Sequence, residues 1–352
     1  MSAAARTTEG APPGLPRVLL VSTGGTITMT PGQGAGIAPT LSAQDLVAAV
    51  PELATRAELA VWTYSQKPGA SLDLQDLVNL SHELAQRLRE GFAGAVLVQG
   101  TDTIEETAFV LDLLRSGPQP LVVTGAMRGA GAPGADGPAN LLAAVTVAGD
   151  AALADQGTLV VLNDEVHAAR FVQKGHTALP SAFHSPGAAP IARVIEGRVR
   201  VSVRLPGSAR LARPAQLAGS EVALIKLVLG DDGRLLAELP RLGYRGAVIE
   251  AMGAGHVPAP WADKLQALAE AMPVVLATRV AAGPVFTGTY GFAGSETDLI
   301  ARGLWPAGDL PGPKACLLLR LLLAQGWTGE PLRLAFAAVR DGHALPASGP
   351  GF

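Results

Sequence analysis

Three groups of residues have the types and spacing to break a bond. Thr23-Gly24-Gly25-Thr26 follows directly on an apolar run and sets hydroxyls beside paired glycines. Such glycines let backbone N–H groups approach a ligand and can cradle an anion or a developing oxyanion, although a Gly-Gly turn after a strand is more often only a turn. Gln99-Gly100-Thr101-Asp102 ends a second apolar run. Its hydroxyl and carboxylate read equally well as local helix capping or as groups facing a pocket, where the carboxylate would hold an ammonium group. Further on, Asn163, Asp164, Glu165 and His167 precede Arg170, Lys174 and His176. A lysine shortly after a strand end is usually solvated, but it can instead reach a hydroxyl and serve as a base. A threonine hydroxyl is a poor nucleophile at neutral pH and needs such a base nearby, together with donors for the oxyanion.

The elements that must position these groups follow from periodicity. Val18–Val21, Ala95–Val98, Leu121–Thr124 and Leu159–Leu162 read as strands buried on both faces, and Asp73–Arg89, Glu105–Leu114 and Ala139–Val147 carry apolar residues at helical spacing. Strands alternating with helices predict an α/β domain with an open, largely parallel sheet, whose ligands bind where strands end and loops lead into helices. Thr103 and Glu106 have the spacing of a capping box, and Asp136 stands where it would cap a helix opening at Pro138, a structural role. The stretch 206–220 has no sustained periodicity and reads as a linker. Beyond it Val222–Val228, Ala247–Ala251 and Val274–Ala277 as strands, with Trp261–Met272 and Lys314–Gln325 as helices, predict a smaller C-terminal α/β domain. The expected organisation is a flexible tail over 1–16, an N-terminal catalytic domain over 17–205, the linker, and a C-terminal domain over 221–352.

Composition narrows the class. The 352 residues carry 30 acidic and 27 basic side chains, a net charge of -3, which offers no broad footprint for nucleic acid or anionic lipid. One cysteine, Cys316, lies in a Leu-rich stretch and reads as core; with no partner thiol it gives no sign of an oxidising compartment. Residues 1–16 hold Arg6, Glu9 and three prolines but no apolar segment of a secretory signal, and no run reaches the ~18 apolar residues of a membrane span, so a cytoplasmic setting is expected. His82, His167, His176, His184, His256 and His343 lack zinc-site spacing, and the glycine-rich run 129–137 completes neither a P-loop nor a dinucleotide fingerprint. No metal and no nucleotide is expected.

Taken in order, Thr23-Gly24-Gly25-Thr26-Ile27, Gln99-Gly100-Thr101-Asp102-Thr103-Ile104-Glu105-Glu106-Thr107, Gly125-Ala126-Met127-Arg128, Ala135-Asp136-Gly137-Pro138-Ala139-Asn140, Asn163-Asp164 and Lys174 resemble the bacterial L-asparaginase family, including its glutaminase-asparaginases. The likeness runs from about Arg17 to Gly326. It implies two α/β domains, a homotetramer built from tight dimers, a small-molecule substrate (L-asparagine, or L-glutamine as well), and no metal or organic cofactor. Carried over by position, Thr26 resembles the primary nucleophile, with Thr101, Asp102 and Lys174 as the second threonine, acid and lysine of the catalytic set. Gly25, Ser65, Gln66, Gly100, Thr101, Asp102 and Ala126 match substrate-binding positions, Ala126 through its backbone carbonyl. Glu296 is the candidate for the acid that a neighbouring subunit lends to the site.

Several departures from the family pattern go with it. Lys67 and Pro68 follow the Ser-Gln pair, residues 28–40 lack the usual loop tyrosine, and Ala254-Gly255-His256 stands where many relatives carry an asparagine. The expected reaction is hydrolysis of the side-chain amide of asparagine through a threonine acyl-enzyme. The alternatives are a broader glutaminase-asparaginase, whose pocket differs by one methylene worth about 1–3 kcal/mol, and a non-catalytic amino-acid-binding protein. Archaeal-type tRNA amidotransferase subunits share the motifs but carry an extra N-terminal domain that sixteen residues before the first strand do not supply.

Overall fold

The computed structural model describes residues 6–7, 14–24, 29–31, 37–39, 43–207 and 209–346, with 6–7, 29–31 and 37–39 as backbone alone. The chain divides into two compact units, residues 1–207 and 208–352.

The first unit holds strands β1 (Arg6–Thr7), β2 (Arg17–Ser22), β3 (Met29–Pro31), β4 (Ile37–Pro39), β5 (Glu58–Thr63), β6 (Gly94–Val98), β7 (Leu121–Thr124), β8 (Thr158–Leu162), β9 (Glu165–Ala168), β10 (Gln173–Lys174), β11 (Phe183–His184), β12 (Ala192–Ile195) and β13 (Arg198–Val201). Its helices are α1 (Ala43–Ala48), α2 (Leu74–Leu88), α3 (Ile104–Leu114) and α4 (Gly137–Ala148). The main sheet runs β1-β5-β2-β6-β7-β8-β9-β12-β13. Its centre, from β5 to β8, is parallel, and antiparallel strands flank it on both sides. This is the open, largely parallel sheet expected from the alternation of elements.

The pleat explains why the central strands are apolar throughout. Along β2, Val18 and Leu20 enter one core with Val96, Val98 and Leu141, while Leu19 and Val21 enter the other with Ala95, Leu97 and Ile104. Successive side chains point to opposite faces, so a strand covered on both sides has no polar position to spare.

Helix α2 starts at Asp73, whose carboxylate accepts from Asp76 N while Asp76 accepts from Asp73 N, a reciprocal cap. The two other caps read from the sequence differ. Thr103 does occupy the N-cap position of α3, but it makes no cap bond; its hydroxyl donates instead to Gly69 O at 3.1 Å. Asp136 precedes α4, yet its carboxylate leaves the helix uncapped and accepts from the backbone of Met127 and Arg128. Thr103 is taken by a loop 34 residues away, and Asp136 by the opening of its own β7–α4 loop, 8–9 residues upstream. Asp136 keeps its structural role, with a different partner.

The second unit holds β14 (Val222–Lys226), β15 (Gly246–Ala251), β16 (Val274–Thr278) and β17 (Trp305–Pro306) in one parallel sheet, with α5 (Ala259–Ala271), α6 (Glu296–Ala301), α7 (Gly312–Ala324) and α8 (Gly329–Asp341). Trp261, Leu265 and Leu268 of α5 pack with Ile249 and Leu276 of the sheet. Cys316 sits within α7, its Sγ donating to Val222 O at 3.5 Å. Among the described residues no helix is long and apolar enough to cross a membrane.

Candidate active site

Strands β2 and β6 are parallel neighbours, so Ser22-Thr23-Gly24 and Gln99-Gly100-Thr101-Asp102 leave the same edge of the sheet. Thr23 N donates to Val98 O at 3.0 Å and Thr23 Oγ1 to the same carbonyl at 3.2 Å, locking the two exits together. Gly24 lies at φ +113°, and a Cβ there would stand 2.5 Å from Lys67 O. Only glycine satisfies both demands, so close approach of the neighbouring loop is what this position requires. Gly25 and Thr26 lie outside the described residues.

Lys174 reaches this edge from the β10–β11 hairpin. Its Nζ donates to Thr101 Oγ1 at 2.9 Å and lies 3.4 Å from Asp102 Oδ1. The Lys174 backbone N–H donates to Glu105 Oε2 at 2.7 Å, which ties the hairpin to the first turn of α3. Thr101 is buried, whereas the Asp102 side chain remains 65 % exposed, so its carboxylate is open to a cationic group arriving from solvent. A hydroxyl hydrogen-bonded to a lysine nitrogen can hand its proton to that nitrogen when the lysine is in its neutral amine form, which has a lone pair to receive it.

The loop carrying Ser65 and Gln66 is held close to the first exit. Ser65 Oγ donates to Thr23 O at 3.0 Å, and Lys67 N donates to the same carbonyl at 2.9 Å. Gln66 is exposed. Lys67, a departure from the family pattern, grips both carboxylate oxygens of Asp76 at 2.9 and 2.7 Å, fastening the loop to the cap of α2. Gly100 is buried against Gly69, where a Cβ would lie 2.9 Å from Gly100 O. Ala126 is buried in the loop after β7.

Glu296 belongs to the second unit, where it is fully buried. Its Oε1 accepts from Thr289 N at 2.9 Å and Tyr290 N at 2.8 Å, and its Oε2 lies 3.2 Å from His256 Nε2. Burial pushes this carboxyl up, but the backbone donors and the histidine more than offset it and hold it below the usual range. His256 also meets the Tyr290 and Phe292 rings edge-on.

Four contributors receive no site role from sequence reasoning, although Gln99 and His167 fall within the polar groups it names. Glu105 anchors the Lys174 strand. Gln99 is buried and donates to Thr103 Oγ1 at 3.3 Å. Asn140, in the first turn of α4, links the loop after β7 to the β8–β9 turn, and His167 hydrogen-bonds Ser185 just beyond β11. Glu105, Gln99 and Asn140 lie inside the quoted motifs, which is the only signal the sequence carries for them.

The comparisons with known proteins agree with this geometry. Residues 17–206 match the family described as asparaginase, N-terminal, and residues 221–336 match the glutaminase/asparaginase C-terminal domain. An L-asparaginase of Bacillus licheniformis is 32 % identical over 88 % of this chain and 95 % of its own, and a probable L-asparaginase of Deinococcus radiodurans 35 % over 92 % and 98 %. A glutamyl-tRNA(Gln) amidotransferase subunit of Methanosarcina barkeri is 29 % identical over 90 % of this chain and 76 % of its own. The crystal structure of a probable cytoplasmic L-asparaginase from Campylobacter jejuni superposes with a TM-score of 0.82 at 28 % identity, over 92 % of this chain and 99 % of that one. With both domains matched in order and nearly the whole length shared with such proteins, the chain belongs to the asparaginase family and is an amidohydrolase of that type.

Proposed function

We propose that the protein hydrolyses the side-chain amide of L-asparagine to L-aspartate and ammonia through a threonine acyl-enzyme. The observation that carries this reading is the Lys174–Thr101–Asp102 cluster at the sheet edge from which Ser22-Thr23-Gly24 also departs. In this scheme the Thr26 hydroxyl attacks the amide carbon, the carbon–nitrogen bond breaks, and ammonia leaves with a proton. Water activated beside Thr101 and Lys174 then cleaves the ester to aspartate and restores Thr26. Backbone N–H groups around Gly25 and Gly100–Thr101 serve the oxyanion, each donor worth roughly 10²–10³-fold. Ser65, Gln66 and the Ala126 carbonyl line the substrate. The assembly in keeping with this reading is a homotetramer of tight dimers acting in the cytoplasm; Glu296, buried with both oxygens engaged inside its own unit, is not given the role of the acid lent to a neighbouring subunit.

Ammonia release from purified protein given L-asparagine or L-glutamine tests the reading. Release from asparagine is the expected result; release from both at similar kcat/KM assigns the broader glutaminase-asparaginase, and binding without release assigns an amino-acid sensor. The exposed Asp102 carboxylate, opposite a substrate ammonium, predicts a second result. Asp102→Ala raises KM for asparagine about 10–100-fold, as expected for loss of a charge-assisted contact, with a smaller change in kcat. Unchanged steady-state constants would remove Asp102 from the site.

A further inference from the structure

The loop after β7 is fixed from two sides by two residues that no catalytic role above uses. Asn140 Nδ2 donates to Gly125 O at 3.0 Å and to Asp136 Oδ2 at 3.1 Å, while its Oδ1 accepts from Asn163 N at 2.9 Å. Asp136 Oδ2 accepts from Met127 N and Oδ1 from Arg128 N, both at 2.9 Å. Asn140 is 2 % exposed and all three of its bonds are made within the protein.

These bonds constrain one group in particular. Met127 N–H and the Ala126 carbonyl belong to the same peptide unit, and no peptide bond in the described chain is cis. In a trans peptide the N–H and C=O point in opposite directions. Tethering Met127 N–H to Asp136 therefore aims the Ala126 carbonyl away from Asp136, and the hold on Gly125 O fixes the preceding peptide plane. The loop also abuts the reacting groups: a Cβ on Gly125 would lie 2.6 Å from Gln99 O and 3.3 Å from Thr101 Cγ2.

We propose that Asp136 and Asn140 are positioning residues that aim the Ala126 carbonyl at the carboxamide nitrogen of the substrate, so that they serve cleavage of amides and not of esters. This rests on the reading given under Proposed function, in which that carbonyl faces the substrate amide. A carbonyl oxygen is an acceptor only. It orients an –NH₂ leaving group by accepting its N–H, and it has nothing to accept from the leaving oxygen of an ester.

The test compares L-asparagine with L-aspartate β-methyl ester, following aspartate formation from both, in the wild type, Asp136→Asn and Asn140→Asp. Asp136→Asn keeps one acceptor oxygen and turns an NH₂ toward a backbone N–H. Asn140→Asp replaces the donor to Gly125 O by an oxygen. Each variant that retains a cooperative thermal transition is expected to lose about 30-fold in kcat/KM for asparagine, within the range a sub-ångström misplacement of a substrate-positioning group produces, and under about 3-fold for the ester. Equal losses on the two substrates, no loss on either, or failure of both variants to fold overturns the positioning role. A wild type that leaves asparagine intact instead sinks the underlying functional reading, so the two failures are distinguishable.

Discussion

Lys174→Met and Thr101→Val each lower kcat for asparagine by about 10³-fold, and the double variant is no slower than the worse single one. Nζ and Oγ1 share one 2.9 Å hydrogen bond, and each is of use to a proton only while the other is present. General acid–base assistance is worth roughly 10²–10⁴-fold, and residues acting as a unit are non-additive because the first loss already disables the second. Both side chains are small or aliphatic in the variants, so the buried Thr101 site keeps its volume and thermal unfolding stays close to that of the wild type. Ammonia release in a double-mutant cycle decides the matter: losses that multiply to about 10⁶ would mean two independent roles, and near wild-type turnover in either single variant would remove the pair from the chemistry. The profile differs from that expected of Asp102→Ala, where KM carries most of the change.

How much of this is legible without a structure depends on whether a signal is local. Strands β2, β6, β7 and β8 are apolar at nearly every position because both faces are covered, and that run of Val and Leu is visible in the sequence. Strand β5 gives a weaker signal: Glu58 and Thr63 bracket an apolar stretch that also contains Trp62, and the strand is partly exposed at both ends. The antiparallel β12 and β13 are exposed or half-buried at every position but Ala192, so they lack the density of a central strand even though Arg198-Val199-Arg200-Val201 has a period of two. The amphipathic α8, with Leu332, Ala335, Phe336 and Val339 buried, has the opposite weakness, its apolar residues being diluted by Glu330, Arg333 and Arg340.

The site shows the same division. The strand exits bearing Thr23-Gly24 and Thr101-Asp102 are legible because a polar cluster after an apolar run marks the ligand-binding edge of a parallel sheet. That Lys174 meets Thr101 is not legible from local pattern, since 73 residues separate them and the hairpin that delivers the lysine is two residues wide on each strand. Thr103 and Asp136 illustrate the limit of capping rules. Both stand at the position such rules select, but Thr103 spends its hydroxyl on a loop 34 residues away and Asp136 its carboxylate on backbone N–H groups earlier in its own loop.

His167 carries the second large expectation, in stability against pH. It is fully buried on β9, with Nδ1 2.9 Å from Ser185 Oγ, so it couples the main sheet to the end of the hairpin that presents Lys174. Its Nε2 makes no hydrogen bond among the described residues and lies 3.6 Å from Glu165 Oε2, an arrangement that favours the neutral tautomer with hydrogen on Nε2 and the Ser185 hydroxyl donating to Nδ1. Burial lowers its pKa from 6.5 to about 4; Glu165, itself held by Arg193, opposes the shift, while His184 and Arg193 add to it. The unfolded chain then binds a proton at this residue between pH 6.5 and 4 that the folded chain does not. The contribution of His167 to stability is therefore complete above about pH 6.5, falls as the pH drops toward 4, and levels off below, a loss of about 3 kcal/mol at the lower end. His167→Asn keeps a polar partner for Ser185 and removes the titration. The variant is expected to be less stable than the wild type at pH 7, through lost packing, yet to lose about 3 kcal/mol less between pH 7 and pH 4 in urea unfolding. Parallel curves for the two proteins across that range would show that His167 is not a source of the acid sensitivity.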